Sequence, residues 1–199
     1  RGLAYVTITV EGPSQDLHSG TFGGCVANPM NVLARLLADL HDDSGRVTLD
    51  GFYDGVPEVT EQQRGELADL RIAEADLAAE AGVSELGGGE RGVAFLERRW
   101  FRPTLDINGL HGGYGGPGSK TIIPATAMAK VSCRLVGEQD WKAVVTSLRD
   151  RLEAAAPPGV RVTVQSENCA RPYFADRSHP AFAAMERAIA GATGRSASW

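Results

Sequence analysis

Residues 3–11 read Leu-Ala-Tyr-Val-Thr-Ile-Thr-Val-Glu, with Leu3, Tyr5, Thr7 and Thr9 alternating against Ala4, Val6, Ile8 and Val10. Successive side chains of a strand point to opposite faces, so this β-branched alternation predicts a half-buried strand. A sheet buried on one side needs a second layer to cover that side, and the remainder of the chain must supply it.

Working outward, Asn28-Pro29 offers a cap and a first-turn proline. Val32, Leu33, Leu36, Leu37 and Leu40 follow at helical spacing, which predicts a helix ending near residues 41–44 with Gly45 beyond it. Residues 57–99 turn to Ala, Glu, Leu and Arg, interrupted by Gly87, Gly88 and Gly89, and read as an insertion of two or three short surface helices. Residues 104–110 alternate again as a second strand. Residues 121–136, TIIPATAMAKVSCRLV, form an extended segment bent near Pro124. Residues 139–155 are amphipathic through Val144, Val145, Leu148 and Leu152 and are stopped by Pro157-Pro158-Gly159, after which Val160, Val162 and Val164 mark a last strand. The order strand, helix, insertion, strand, strand, helix, strand predicts an α+β, two-layer sandwich: a four-stranded antiparallel sheet with two helices on one face, ferredoxin-like. Residues 178–193 predict a third amphipathic helix, with Phe182, Met185 and Ile189 on one face and no place in the two-layer unit.

The chain has 199 residues and a net charge of −5, which argues against nucleic-acid and anionic-membrane partners. No apolar run approaches ~18 residues, and no basic-then-apolar leader opens the sequence. Three cysteines, Cys25, Cys133 and Cys169, are odd in number and far apart, which suits a reducing compartment; a cytoplasmic location is the expectation. The chain enters a strand almost at Arg1 and stops at Trp199 just after a helix pattern, so it reads as an excerpt of a longer protein.

Candidate chemistry is sparse. The stretch GGYGGPGSKT (112–121) is no phosphate loop, because Ser119 rather than glycine precedes Lys120 and a strand follows instead of a helix. His18, His41, His111 and His179 lie far apart without zinc-like spacing, and no nucleophile elbow supports a serine mechanism. Three isolated groups stand out. His18 sits with Asp16 in SQDLHSGTFGG (14–24), which is either an ordinary turn or a glycine-rich loop that holds a catalytic group over something reactive. Arg134 shares with Lys130 and Ser132 the strand face opposite Val131, Cys133 and Leu135, where a guanidinium either is solvated or clamps a carboxylate. Thr121 is either an ordinary strand-entry threonine or a donor to a ligand.

Four blocks in order, DLHSGTFGGCVANP (16–29), GFYDGVPEV (51–59), residues 100–136 and RPYFADRSHPAF (171–182), together resemble the lid, or dimerisation, domain of the two-zinc aminoacylase and carboxypeptidase family. Carnosine-type dipeptidases, glutamate carboxypeptidase and succinyl-diaminopimelate desuccinylase are members, and the dipeptidase branch is the most similar. The resemblance implies a longer enzyme whose catalytic domain holds two zinc ions, uses a glutamate as general base on the bridging water and carries the lid between its two halves. Residues 1–170, with the insertion at about 57–99, would then be the lid, and residues 171–199 the start of the returning catalytic segment. This chain alone would hold no zinc and be inactive.

By the same resemblance His18 matches the histidine that reaches across a homodimer to the partner's zinc site and binds the substrate carbonyl as it becomes an oxyanion. Arg134 matches the arginine for the substrate's free carboxylate, Thr121 a hydroxyl near that site, and Asn108 a further substrate contact, whereas His111 reads as a loop residue. Helices or edge strands of two lid sheets would pair in the dimer. The substrate would be a dipeptide or an N-acyl amino acid. The alternative from another class is a stand-alone α/β ligand-binding or assembly module without catalysis.

Overall fold

The computed structural model describes residues 1–175 and 177–195. In chain order the elements are β1 (Gly2–Glu11), β2 (Leu17–His18), α1 (Ser19–Phe22), α2 (Pro29–Ala38), α3 (Glu61–Asp69), α4 (Glu74–Ala81), α5 (Phe95–Phe101), β3 (Thr104–Gly112), β4 (Ile122–Ile123), β5 (Thr126–Leu135), α6 (Trp141–Ala154), β6 (Arg161–Ala170) and α7 (Pro180–Thr193). Asp176 and residues 196–199, which belong to the expected returning segment, lie outside the described residues.

The opening alternation does what its period requires. Ala4, Val6, Ile8 and Val10 of β1 are each at most 1% exposed, and the intervening residues face the other way. A strand this apolar belongs inside the sheet, and the order β3-β5-β1-β6 puts it there, with every neighbour antiparallel. This is the expected α+β sandwich. On the buried face, Ala127, Ala129, Val131, Cys133 and Leu135 of β5 meet Leu33, Leu36 and Leu37 of α2 and Val144, Val145, Leu148 and Leu152 of α6. Each such Val, Leu or Ile contributes about 1.5–3 kcal/mol on leaving water, so one core cluster dominates the fold.

Helix α2 starts as predicted, with Asn28 Oδ1 accepting the Met30 N–H at 2.9 Å and Pro29 in the first turn. It ends at Ala38, earlier than the apolar spacing suggests. The Asp39 carbonyl accepts instead from Thr48 Oγ1 at 2.6 Å and from Arg151 Nη2 at 3.0 Å, and Leu40 turns into the core. The extended segment 121–136 is broken at Pro124 into β4 and β5. Strand β6 continues to Ala170, beyond the Val160–Val164 alternation, because pairing with β1 holds residues whose side chains are polar on both faces.

The insertion holds three short helices, α3 to α5. It is fastened to the sandwich by Glu90, 5% exposed, whose carboxylate accepts from Arg102 at 2.7 Å and Arg46 at 3.3 Å. Both guanidiniums lie over the Tyr53 ring, at 5.2 and 4.2 Å from its centre. Burial pushes the Tyr53 phenol up from its ordinary pKa, and the adjacent Glu90 charge adds to the rise. Helix α7 follows β6 with no buried residue of its own. Among the described residues no helix is long and apolar enough to cross a membrane.

Candidate functional site

Beyond the end of the sheet where Glu11 pairs with Thr126, the chain makes a second, two-stranded ladder. Leu17 pairs with Ile123 and His18 with Ile122, and the Ser19 N–H donates to the Thr121 carbonyl at 2.8 Å. His18 is the last residue of β2 and the cap of α1, and its Nδ1 accepts the Gly20 N–H at 3.0 Å. A ring nitrogen that accepts carries no proton, so the neutral imidazole holds its hydrogen on Nε2. That nitrogen stands 3.0 Å from Thr121 Oγ1 and donates to it, leaving the threonine hydroxyl hydrogen to point elsewhere. Two donors, Nε2–H and Oγ1–H, are thus presented side by side on an exposed ledge.

The glycines here serve close packing more than loop freedom. A Cβ at position 20 would lie 2.7 Å from His18 Cε1, and one at position 23 would lie 2.4 Å from the Ser19 carbonyl oxygen. Only glycine at these two places lets the ring fold over the start of α1 and lets the Gly23 N–H return to Ser19 at 2.8 Å.

Arg134 lies at the other end of β5. It is exposed on the uncovered face of the sheet, paired in register with Leu3 on one side and Thr104 on the other. Eight residues separate it from Thr126, about 27 Å along a strand. The structure therefore brings His18 and Thr121 together and leaves Arg134 far from them. The Arg1 guanidinium stands near it: burial first, then the Arg134 charge, hold Arg1 below its ordinary pKa, while Asp106 acts in the opposite sense. The neighbourhood of Arg134 thus holds a second guanidinium, Arg1, and one carboxylate, Asp106.

Asn108 sits at a bulge. The register passes from Ile107–Val131 to Gly109–Lys130, so Asn108 is the extra residue on β3, exposed and remote from the histidine ledge. His111 is exposed opposite Met128, His41 bridges to Val47, and His179 caps α7 by accepting the Ala181 N–H at 3.2 Å. Among the described residues no group of three or more His, Cys, Asp or Glu side chains could hold a metal ion, so this donor set does not fit zinc.

Sequence reasoning missed one polar cluster between the two ends. Lys130 Nζ donates to Thr7 Oγ1 at 2.6 Å and pairs with Glu167, which also accepts from Thr7. These bonds, the Lys130 contact foremost, hold the Glu167 carboxyl below its usual range. The signal lay in the register across β5, β1 and β6, which a linear pattern does not reveal.

The family model for the peptidase dimerisation domain matches residues 1–160. The chain is 35% identical over 154 residues to the Cys-Gly metallodipeptidase DUG1 of Saccharomyces cerevisiae, covering 77% of this chain and 32% of that protein. It is 36% identical over 156 residues to the Beta-Ala-His dipeptidase of Rattus norvegicus, covering 77% and 31%. The M20 family metallo-carboxypeptidase Sso-CP2 of Sulfolobus solfataricus superposes with a TM-score of 0.86 at 32% identity, over 99% of this chain and 44% of that one. The chain thus spans about one third of the length of the curated relatives it matches.

Proposed function

The chain belongs to the peptidase dimerisation domain family, and from that premise we propose that it is the dimerisation and substrate-capping domain of a dizinc dipeptidase-like hydrolase cleaving peptide or N-acyl amide bonds. Residues 1–170 form the lid, with the insertion at about 57–99, and residues 171–199 begin the segment that returns to the catalytic domain. The metal ions, zinc on this reading, are held outside this chain and supply activation of the attacking water.

The observation that carries the reading is the His18–Thr121 pair at 3.0 Å. Attack on an amide carbonyl gathers negative charge on its oxygen, and donors already aimed at that oxygen stabilise the transition state more than the ground state. His18 offers Nε2–H as a neutral donor, the tautomer that the Gly20 N–H selects. When a substrate oxygen replaces Thr121 as acceptor, the threonine hydroxyl stays alongside as a second donor. Arg134, exposed on the open face of the sheet, takes the free carboxylate of a dipeptide or an N-acyl amino acid by paired N–H···O bonds.

An extended dipeptide spans about 7 Å, so one substrate cannot meet both ends of β5. Each chain therefore contributes to two sites: Arg134 to one, His18 and Thr121 to the other, which belongs to a second copy. A homodimer completes both. The β3 edge fits that pairing, since Ile107 and Leu110 are 45% and 59% exposed there while the β6 edge is polar. Asn108 stands on the same β3 edge, outside the β3–β5 pairing, as a further substrate contact. Three free cysteines fit a cytoplasmic setting.

The test is His18→Ala in the full-length protein: kcat falls by about 10²–10³ with metal content unchanged. An unaltered kcat sinks the reading.

A further inference from the structure

Asp16 shares the His18 stretch and is left unused by the function above. The pairing of Leu17 with Ile123 and His18 with Ile122 sets Asp16 opposite Pro124. The Ser19 N–H bond to the Thr121 carbonyl makes His18–Ile122 and, two steps on, Asp16–Pro124 pairs that exchange no ladder bond, so a proline fits there and the next ladder donor is the Ala125 N–H. A two-residue ladder is marginal by itself, and the register of so short a strand is weakly specified.

The Asp16 side chain takes that donor itself. Its Oδ1 accepts the N–H of Ala125, the residue after the proline, at 2.8 Å. The Ala125 carbonyl accepts the Gly12 N–H at 2.9 Å, so both polar backbone groups of Ala125 are held by the segment that leads into β2. We infer that Asp16 is a positioning residue: its carboxylate takes the N–H that would carry the ladder past Pro124 and fixes β2 in the register that sets His18 Nε2 against Thr121 Oγ1. A slip of one residue would turn His18 to the opposite face of the ladder and part it from Thr121.

This inference rests on the reading of His18 as the acting group, but its test does not. Uniformly ¹⁵N-labelled 199-residue chain is compared with Asp16→Ala and Asp16→Asn, reading the His18 ring nitrogens, amide exchange at Ala125, and exchange at Ile8 in the sheet centre as an internal standard. In Asp16→Ala, Ala125 exchange rises about tenfold, the scale of one lost hydrogen bond. The two His18 ring shifts move together as the tautomers mix. Ile8 is unchanged. In Asp16→Asn both signals return to within about twofold of the original, because an amide oxygen replaces the acceptor without the charge. The inference is overturned if Asp16→Ala alters neither signal, if it exposes Ile8 as well, or if Asn disrupts the ring as much as Ala. None of these readings depends on turnover, so they fail separately from the His18→Ala kinetics.

Discussion

The His18 imidazole and the Thr121 hydroxyl are 103 residues apart in the chain and 3.0 Å apart in space. The link between them is backbone: β2 lies against β4, and the Gly20 N–H turns the ring so that Nε2 faces the threonine.

Gly20→Ala separates stability from activity. Alanine in a helix is favoured over glycine by up to about 1 kcal/mol, which offsets the similar cost of losing the His18 cap, so thermal unfolding changes little. The new Cβ displaces the ring, because it would lie 2.7 Å from His18 Cε1. In the full-length protein kcat falls by about tenfold or more, the cost of moving a reacting group by about 1 Å. Parallel unfolding and kinetic measurements check that kcat falls while Tm stays nearly level.

Arg134→Ala raises KM for substrates with a free carboxylate by about 10- to 100-fold, the scale of losing charge-assisted hydrogen bonds. Substrates amidated at that end respond little. Arg134→Lys recovers part of the loss, since it keeps the charge but not the paired donors. Equal effects on acid and amide substrates would remove the assigned role.

The cysteines differ in reactivity. Burial pushes the Cys133 thiol up to about 12, with the Asp106 and Cys169 charges adding to it, whereas Cys25 is exposed. A thiol reagent at neutral pH labels Cys25 in the folded chain and reaches Cys133 only after denaturant is added. Mass spectrometry of the labelled peptides reads the order directly.

Acid weakens the open face of the sheet. Glu167 is held below the ordinary carboxyl range in the folded state by Lys130 first and by Thr7. Its contribution to stability is therefore present above the unfolded value and disappears as pH falls through the lower folded one. Glu167→Gln loses less stability than the parent chain between about pH 5 and pH 3, seen as a flatter dependence of Tm on pH.

Long periodic elements were readable in the linear sequence because their periods repeat. The alternation in β1 and β5 and the apolar stripes of α2 and α6 needed no partner to be recognised. What escaped reading was set by distant groups. Helix α2 ends where Thr48 and Arg151 capture the Asp39 carbonyl, although Leu40 continues the stripe. Strand β2 and helix α1 are too short to show any period, with two and four residues. At the site, His18, Thr121 and Arg134 could be named from the four-block resemblance, but not their arrangement. Placing two of them together and the third at the far end of β5 takes the register of two ladders.

The most direct test of that arrangement mixes two inactive full-length variants: His18→Ala, and one with a disabled catalytic domain and an intact His18. Random reassortment gives about half mixed dimers, each with one complete site, so activity returns to about one quarter of the parent level. Proven mixed dimers that stay inactive would contradict a histidine donated from one copy to the other.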